Sequence, residues 1–69
     1  MTTAKEILYS ARNAVAAIEA ADKLTTNVEQ DWRNEATLFI FDDESVLLVS
    51  GPQVNAYESL AEAKADLND

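Results

Sequence analysis

Ala36-Thr-Leu-Phe-Ile-Phe-Asp-Asp-Glu-Ser-Val-Leu-Leu-Val-Ser50 is the stretch whose reading decides the fold. Two apolar runs, rich in β-branched and aromatic residues, flank a short polar and mostly acidic segment, the pattern of a β-hairpin with a charged tip. Neither run contains Gly or Pro until Gly51-Pro52 closes the second. A loop over residues 42–45 pairs Phe41 with Val46, Phe39 with Leu48 and Thr37 with Ser50, and directly opposed residues share a face. One face then carries Phe39, Phe41, Val46 and Leu48; the other carries Leu38, Ile40, Leu47 and Val49. A slip in register re-sorts these sets but leaves both faces apolar. A hairpin with one wet side alternates apolar with polar residues. Both faces here therefore need cover, from the chain's own helices or from a second molecule.

Upstream, Thr3-Ala-Lys-Glu6 matches a helix capping box, in which the hydroxyl and the carboxylate each satisfy a free amide of the first turn. Behind it Ala4, Ile7, Leu8, Ala11, Ala14, Val15, Ile18, Ala21 and Leu24 recur at helical spacing. The spacing predicts one amphipathic helix over residues 3–24, its stripe made of alanine with Ile7, Leu8, Val15 and Ile18 as bulk. That stripe suits packing on a sheet or on a twin helix. Thr25-Thr26-Asn27 favours its end. Residues 28–35 read either as an irregular loop or as the first half of a long edge strand. Within them Glu29, Asp31 and Glu35 surround Trp32, with Arg33 for balance. Trp32 is read as a lid on the core or as an exposed anchor for a partner, since tryptophan is enriched among binding hot spots.

Downstream, Gly51-Pro52 marks a turn. A second capping box, Ser59-Leu-Ala-Glu62, predicts a helix over residues 59–68, with Leu60, Ala61, Ala63 and Leu67 inward. Residues 53–58 are left to join the hairpin as a third strand. The expected architecture is a single α+β domain spanning residues 1–69, of order α-β-β-β-α. A three-stranded antiparallel sheet packs against an N-terminal helix and a shorter C-terminal one.

Length and composition bound the function. A chain of 69 residues without cysteine or histidine buries only about 60% of its unfolded surface. It has no disulfide and no Cys- or His-ligated structural zinc to help. Absence of cysteine fits a reducing cytoplasm, and no secretory or membrane-spanning pattern is visible. Acidic residues outnumber basic ones 13 to 5, for a net charge of −8, and no Lys/Arg cluster exists to engage a phosphate backbone or an anionic membrane.

Enzymatic chemistry is poorly provided for. The commonest general base and the thiol nucleophile are missing. One glycine cannot build a phosphate cradle. Asp42-Asp43-Glu44 lacks the glycine and the spacing of a calcium loop, and reads as a solvated tip or as a contact for a basic partner. No cofactor and no metal site is expected.

Contact with another protein is what remains. Carboxylates stand in for phosphates as anionic acceptors that Arg and Lys engage by charge-assisted bonds. Glu29, Asp31, Glu35, Asp42, Asp43, Glu44, Glu58, Glu62 and Asp66 are the candidates, the last three spaced by four. In size, charge and missing chemistry alone, the chain resembles small acidic phage proteins that disarm host nucleic-acid enzymes, anti-CRISPR and DNA-mimic inhibitors among them. That likeness implies an inhibitor of a basic, nucleic-acid-binding protein, acting in the host cytoplasm without touching nucleic acid itself. The doubly apolar hairpin adds the expectation of a homodimer, associating through Trp32, Phe39, Phe41, Val46 and Leu48. The alternative is a homodimeric structural or accessory module of a larger complex, whose acids serve solubility only.

Overall fold

A computed structural model describes residues 2–67 of the chain. The elements run α1 (Thr3–Ser10), α2 (Ala14–Leu24), β1 (Asn27–Asp31), β2 (Ala36–Ile40), β3 (Val46–Ser50), β4 (Gln53–Tyr57) and α3 (Leu60–Leu67). The strands form a four-stranded antiparallel meander in sequence order. The small α+β class of the sequence reading stands. Its detail is corrected in the number of strands, the number of helices and the register of the hairpin.

The central hairpin forms, with Ile40 opposite Val46, Phe39 opposite Leu47 and Leu38 opposite Leu48. This is one residue out of the register expected from a loop over 42–45. The Phe41 amide donates to the Ser45 carbonyl, and the Glu44 amide donates back to the Phe41 carbonyl, at 3.0 Å each. The tip is thus a three-residue loop closed by Glu44 in the left-handed region, φ 71°, one of the common hairpin connections. Glycine is the usual signal for that position, and a glutamate fills it.

Re-registration re-sorts the two faces. Phe39, Phe41, Leu47 and Val49 point to one side with Ala4, Ile7, Ala17 and Ala21 of α1 and α2. Leu38, Val46 and Leu48 point to the other with Ala36 and with Ala63 of α3. Helices therefore cover the sheet on both sides. Every residue of 38–41 and 46–49 is buried except the half-buried Ile40. Phe39, Phe41, Val46 and Leu48, expected as an association surface, are core residues of the lone chain. Of the two sources of cover expected for the hairpin, the chain's own helices supply it on both faces.

The expected helix over 3–24 is broken. Ala11 is extended at ψ 137°, and Asn13 caps α2 by accepting from the Ala16 amide at 2.9 Å. The break lets the two alanine stripes lie together on one face of the sheet. Val15 and Ile18, expected in the stripe, are 64% and 38% exposed; the inward residues of α2 are Ala17 and Ala21. The cap of α1 is Thr2 rather than Thr3, its hydroxyl accepting from the Lys5 amide. The second box holds better: Ser59 Oγ accepts from the Glu62 amide at 3.2 Å, and Glu62 Oε2 accepts from the Glu58 amide at 3.1 Å. The expected end of that helix at residue 68 lies outside the described residues.

Strand β1 resolves the ambiguous segment. It pairs with β2 through Asp31 opposite Ala36 and Asn27 opposite Ile40. Beyond it residues 32–35 turn, with Glu35 in the left-handed region at φ 53°.

Candidate functional site

The nine candidate acids do not share one face. Strand directions sort them to two ends of the sheet. Asp42, Asp43 and Glu44 follow the last residue of β2, and Glu58 follows Tyr57, which pairs with Val46 at that same end. Asp31 and Glu35 bracket the turn at the opposite end, where Asp31 pairs with Ala36. Glu29 lies between them on the edge strand.

Most of these acids have partners within the chain. Asp43 is the most heavily used: one carboxylate oxygen accepts from the Thr3 amide at 2.8 Å and the Thr3 hydroxyl at 3.1 Å. The other accepts from the Ser45 amide at 3.1 Å and from the Ser45 hydroxyl. That hydroxyl is fully buried and also accepts from the Ala4 amide at 3.2 Å. The first amides of α1, which have no partner inside the helix, are thereby satisfied by the hairpin tip and by Thr2. A carboxylate at a helix N-terminus also complements the helix dipole. The Ser45 hydroxyl first, and then the Thr3 amide, hold the Asp43 carboxyl well below the usual carboxylate range.

Asp31 does the corresponding job at the other end. It accepts from the Arg33 and Asn34 amides at 3.1 and 3.2 Å and from the Asn34 side chain at 2.9 Å. The Asn34 side chain is the main reason its carboxyl is lowered from the ordinary value. Both turns are therefore pinned by an aspartate bonded to amides just downstream of it.

Four further acids have partners. Glu29 lies 3.6 Å from Lys64 and Glu58 lies 3.9 Å from Lys5. Glu62 caps α3. Asp66 accepts from the Tyr57 hydroxyl; burial first, and that bond second, push the Tyr57 phenol up to about 12. Glu58, Glu62 and Asp66 consequently do not form one free helical face. Glu58 precedes α3, and each of the three is engaged separately.

Glu35, Asp42 and Glu44 are left. Among the described residues their carboxylates make no hydrogen bond or salt bridge, and all three residues are exposed. Two of them, Glu35 and Glu44, are also the two non-glycine residues with positive φ among the described residues.

Trp32 is 82% exposed, so the core-lid reading is overturned. Its indole stands between two shallow clefts. One, of about 410 Å³, is lined by Glu29, Arg33, Leu38, Lys64 and Leu67. The other, of about 440 Å³, is lined by Gln30, Asp31, Glu35, Ala36 and Thr37. Sequence reasoning missed Ser45, whose buried hydroxyl joins the tip to α1. A serine at a hairpin tip looks like any solvated turn residue.

Among the described residues no group of three or more acidic side chains is placed to hold a metal ion, and no helix is long and apolar enough to cross a membrane. Comparison of the chain with protein-family models, with curated proteins and with solved structures finds no match.

Proposed function

We propose that this protein is a non-enzymatic binding protein whose acidic turns engage a basic, nucleic-acid-binding partner in place of phosphate. The observation that carries the reading is the placement of Glu35 and Glu44. Each occupies a left-handed backbone position that glycine or asparagine fills at less cost, by about 1 kcal/mol. Each presents a carboxylate with no partner among the described residues, on a turn that an aspartate fixes, Asp31 for Glu35 and Asp43 for Glu44. A charge kept where the backbone disfavours its residue, on a turn that is already rigid, suits contact with something outside the chain. The net charge of −8 adds long-range attraction for a cationic surface, which salt weakens.

The homodimer reading loses its main support, because the hairpin faces that motivated it are enclosed by α1, α2 and α3.

The experiment is capture from cell lysate on the immobilised chain, followed by competition. The expected partner is a basic nucleic-acid-binding protein that leaves as salt rises and that double-stranded DNA or RNA displaces. A captured protein that holds through high salt and ignores added nucleic acid contradicts the proposal.

A further inference from the structure

Strand β1 is an edge of the sheet and pairs with β2 alone. Its residues Asn27, Val28 and Gln30 are exposed, and Glu29 and Asp31 are half-buried. The direction of its free backbone groups follows from alternation along an antiparallel ladder. Phe41 donates its amide to the carbonyl of Ser45, the residue before β3, so along β2 the odd-numbered residues bond to β3 and Ala36, Leu38 and Ile40 bond to β1. Their partners Asp31, Glu29 and Asn27 turn their backbone groups inward, and Val28 and Gln30 turn theirs outward. The outward Val28 amide donates to its neighbour Asn27 Oδ1 at 3.0 Å. The Gln30 amide and the two carbonyls face away from the sheet.

An open edge accepts another strand, and charge decides which. Antiparallel pairing of β1 with a second copy about Glu29 sets Glu29 against Glu29, with a net charge of −8 on each chain. Like charges directly opposed are destabilising. A basic strand meets the reverse situation. Lys or Arg at alternate positions falls opposite Glu29 and Asp31 on one face, while apolar residues fall beside Val28 on the other. At Glu29 it competes with Lys64 at 3.6 Å, and the Asp31 carboxylate also accepts from Arg33 and Asn34. The exposed Trp32 indole at the end of β1 offers its ring face to a cation.

We infer that β1 is a docking edge at which the partner protein adds an extended segment of alternating basic and apolar residues as a fifth strand. This inference rests on the acidic-contact reading and names the shape and chemistry of what is bound.

The test uses the whole chain and two synthetic peptides that alternate lysine with valine, one of them methylated at every backbone nitrogen. The two carry the same charge, but the methylated one has no N–H to give the Val28 and Gln30 carbonyls. Hydrogen exchange at the Gln30 amide and Trp32 emission report binding at low salt. The unmethylated peptide is expected to slow exchange at Gln30 and to shift the indole emission. Methylation of the peptide, or Gln30→Pro in the chain, is expected to weaken binding about tenfold or more. Proline is tolerated on an edge strand where its nitrogen faces solvent, and the methylated peptide tests the wild-type chain irrespective of how that variant folds. Equal binding of the two peptides overturns strand addition and leaves the acidic contact standing. Failure of both peptides to bind overturns strand addition and counts against the acidic contact as well.

Discussion

The Asp43 carboxylate at the hairpin tip accepts a hydrogen bond from the amide of Thr3, 40 residues away in the chain. Through it the tip of the sheet caps the first helix. Asp43→Ala is expected to cost about 1–2 kcal/mol, the range for a lost helix cap with charge-assisted bonds, kept low because the group is exposed. Asp42→Ala, beside it, is expected to stay within about 0.5 kcal/mol. Urea unfolding of the two variants checks this, and equal costs contradict it.

The same group sets a pH dependence. Its folded pKa is depressed, so its contribution is fully present above the unfolded carboxylate value of about 3.9 and is lost as pH falls below it. Wild-type stability is expected to fall through that window more steeply than that of Asp43→Asn, which has no charge to lose. Parallel slopes argue against the role assigned to Asp43.

Leu47 is fully buried under α1 and α2. Leu47→Ala is expected to remove about 3 kcal/mol. A chain of this length holds roughly 3–10 kcal/mol in all, so a large share of the fold's stability is lost. The denaturation midpoint should fall with little change in slope; a loss under 1 kcal/mol would mean that the helices do not close on this face.

Much of this was legible in the sequence, and the failures have physical causes. The hairpin was readable because both strands are buried on both faces and so read as continuous apolar runs. Strand β1 was not, because as an edge strand with little cover it shows Asn, Glu, Gln and Asp around a single valine and has no period to detect. The break at residues 11–13 was hidden because alanine continues at helical spacing through it; the one available signal was Asn13, a good helix cap. The register failed on Glu44, which takes the turn position where glycine would have announced a three-residue loop. Of the candidate site, the acids were visible as a composition. Their division into structural and free groups depends on which amides they reach, and no sequence pattern shows that.

Trp32 tests the placement of the edge turn. At 82% exposure, Trp32→Ala is expected to change stability by no more than about 0.5 kcal/mol, and wild-type emission should be long-wavelength and open to a soluble quencher. A cost of several kcal/mol would return the indole to the core.

Tyr57 tests the seating of α3. Its phenol is raised to about 12 by burial and by the bond to Asp66. In a Tyr9→Phe background, ultraviolet titration should show phenolate only near that pH, and Asp66→Asn should move the transition down. A folded pKa above the unfolded value of about 10 stabilises the chain below that value and ceases to as pH rises through about 12. An unmoved transition in Asp66→Asn would remove the Asp66 bond as a cause and leave burial alone to raise the phenol.

The central claim is that Glu35 and Glu44 are kept for contact at the expense of the backbone. The most direct measurement follows thermal stability and partner affinity together in the Glu35→Asn, Glu44→Asn double variant. Asparagine adopts the left-handed region more readily, so the melting temperature is expected to rise by several degrees while affinity for the captured partner falls and depends less on salt. A variant that gains stability and binds its partner as tightly, with unchanged salt dependence, contradicts the account.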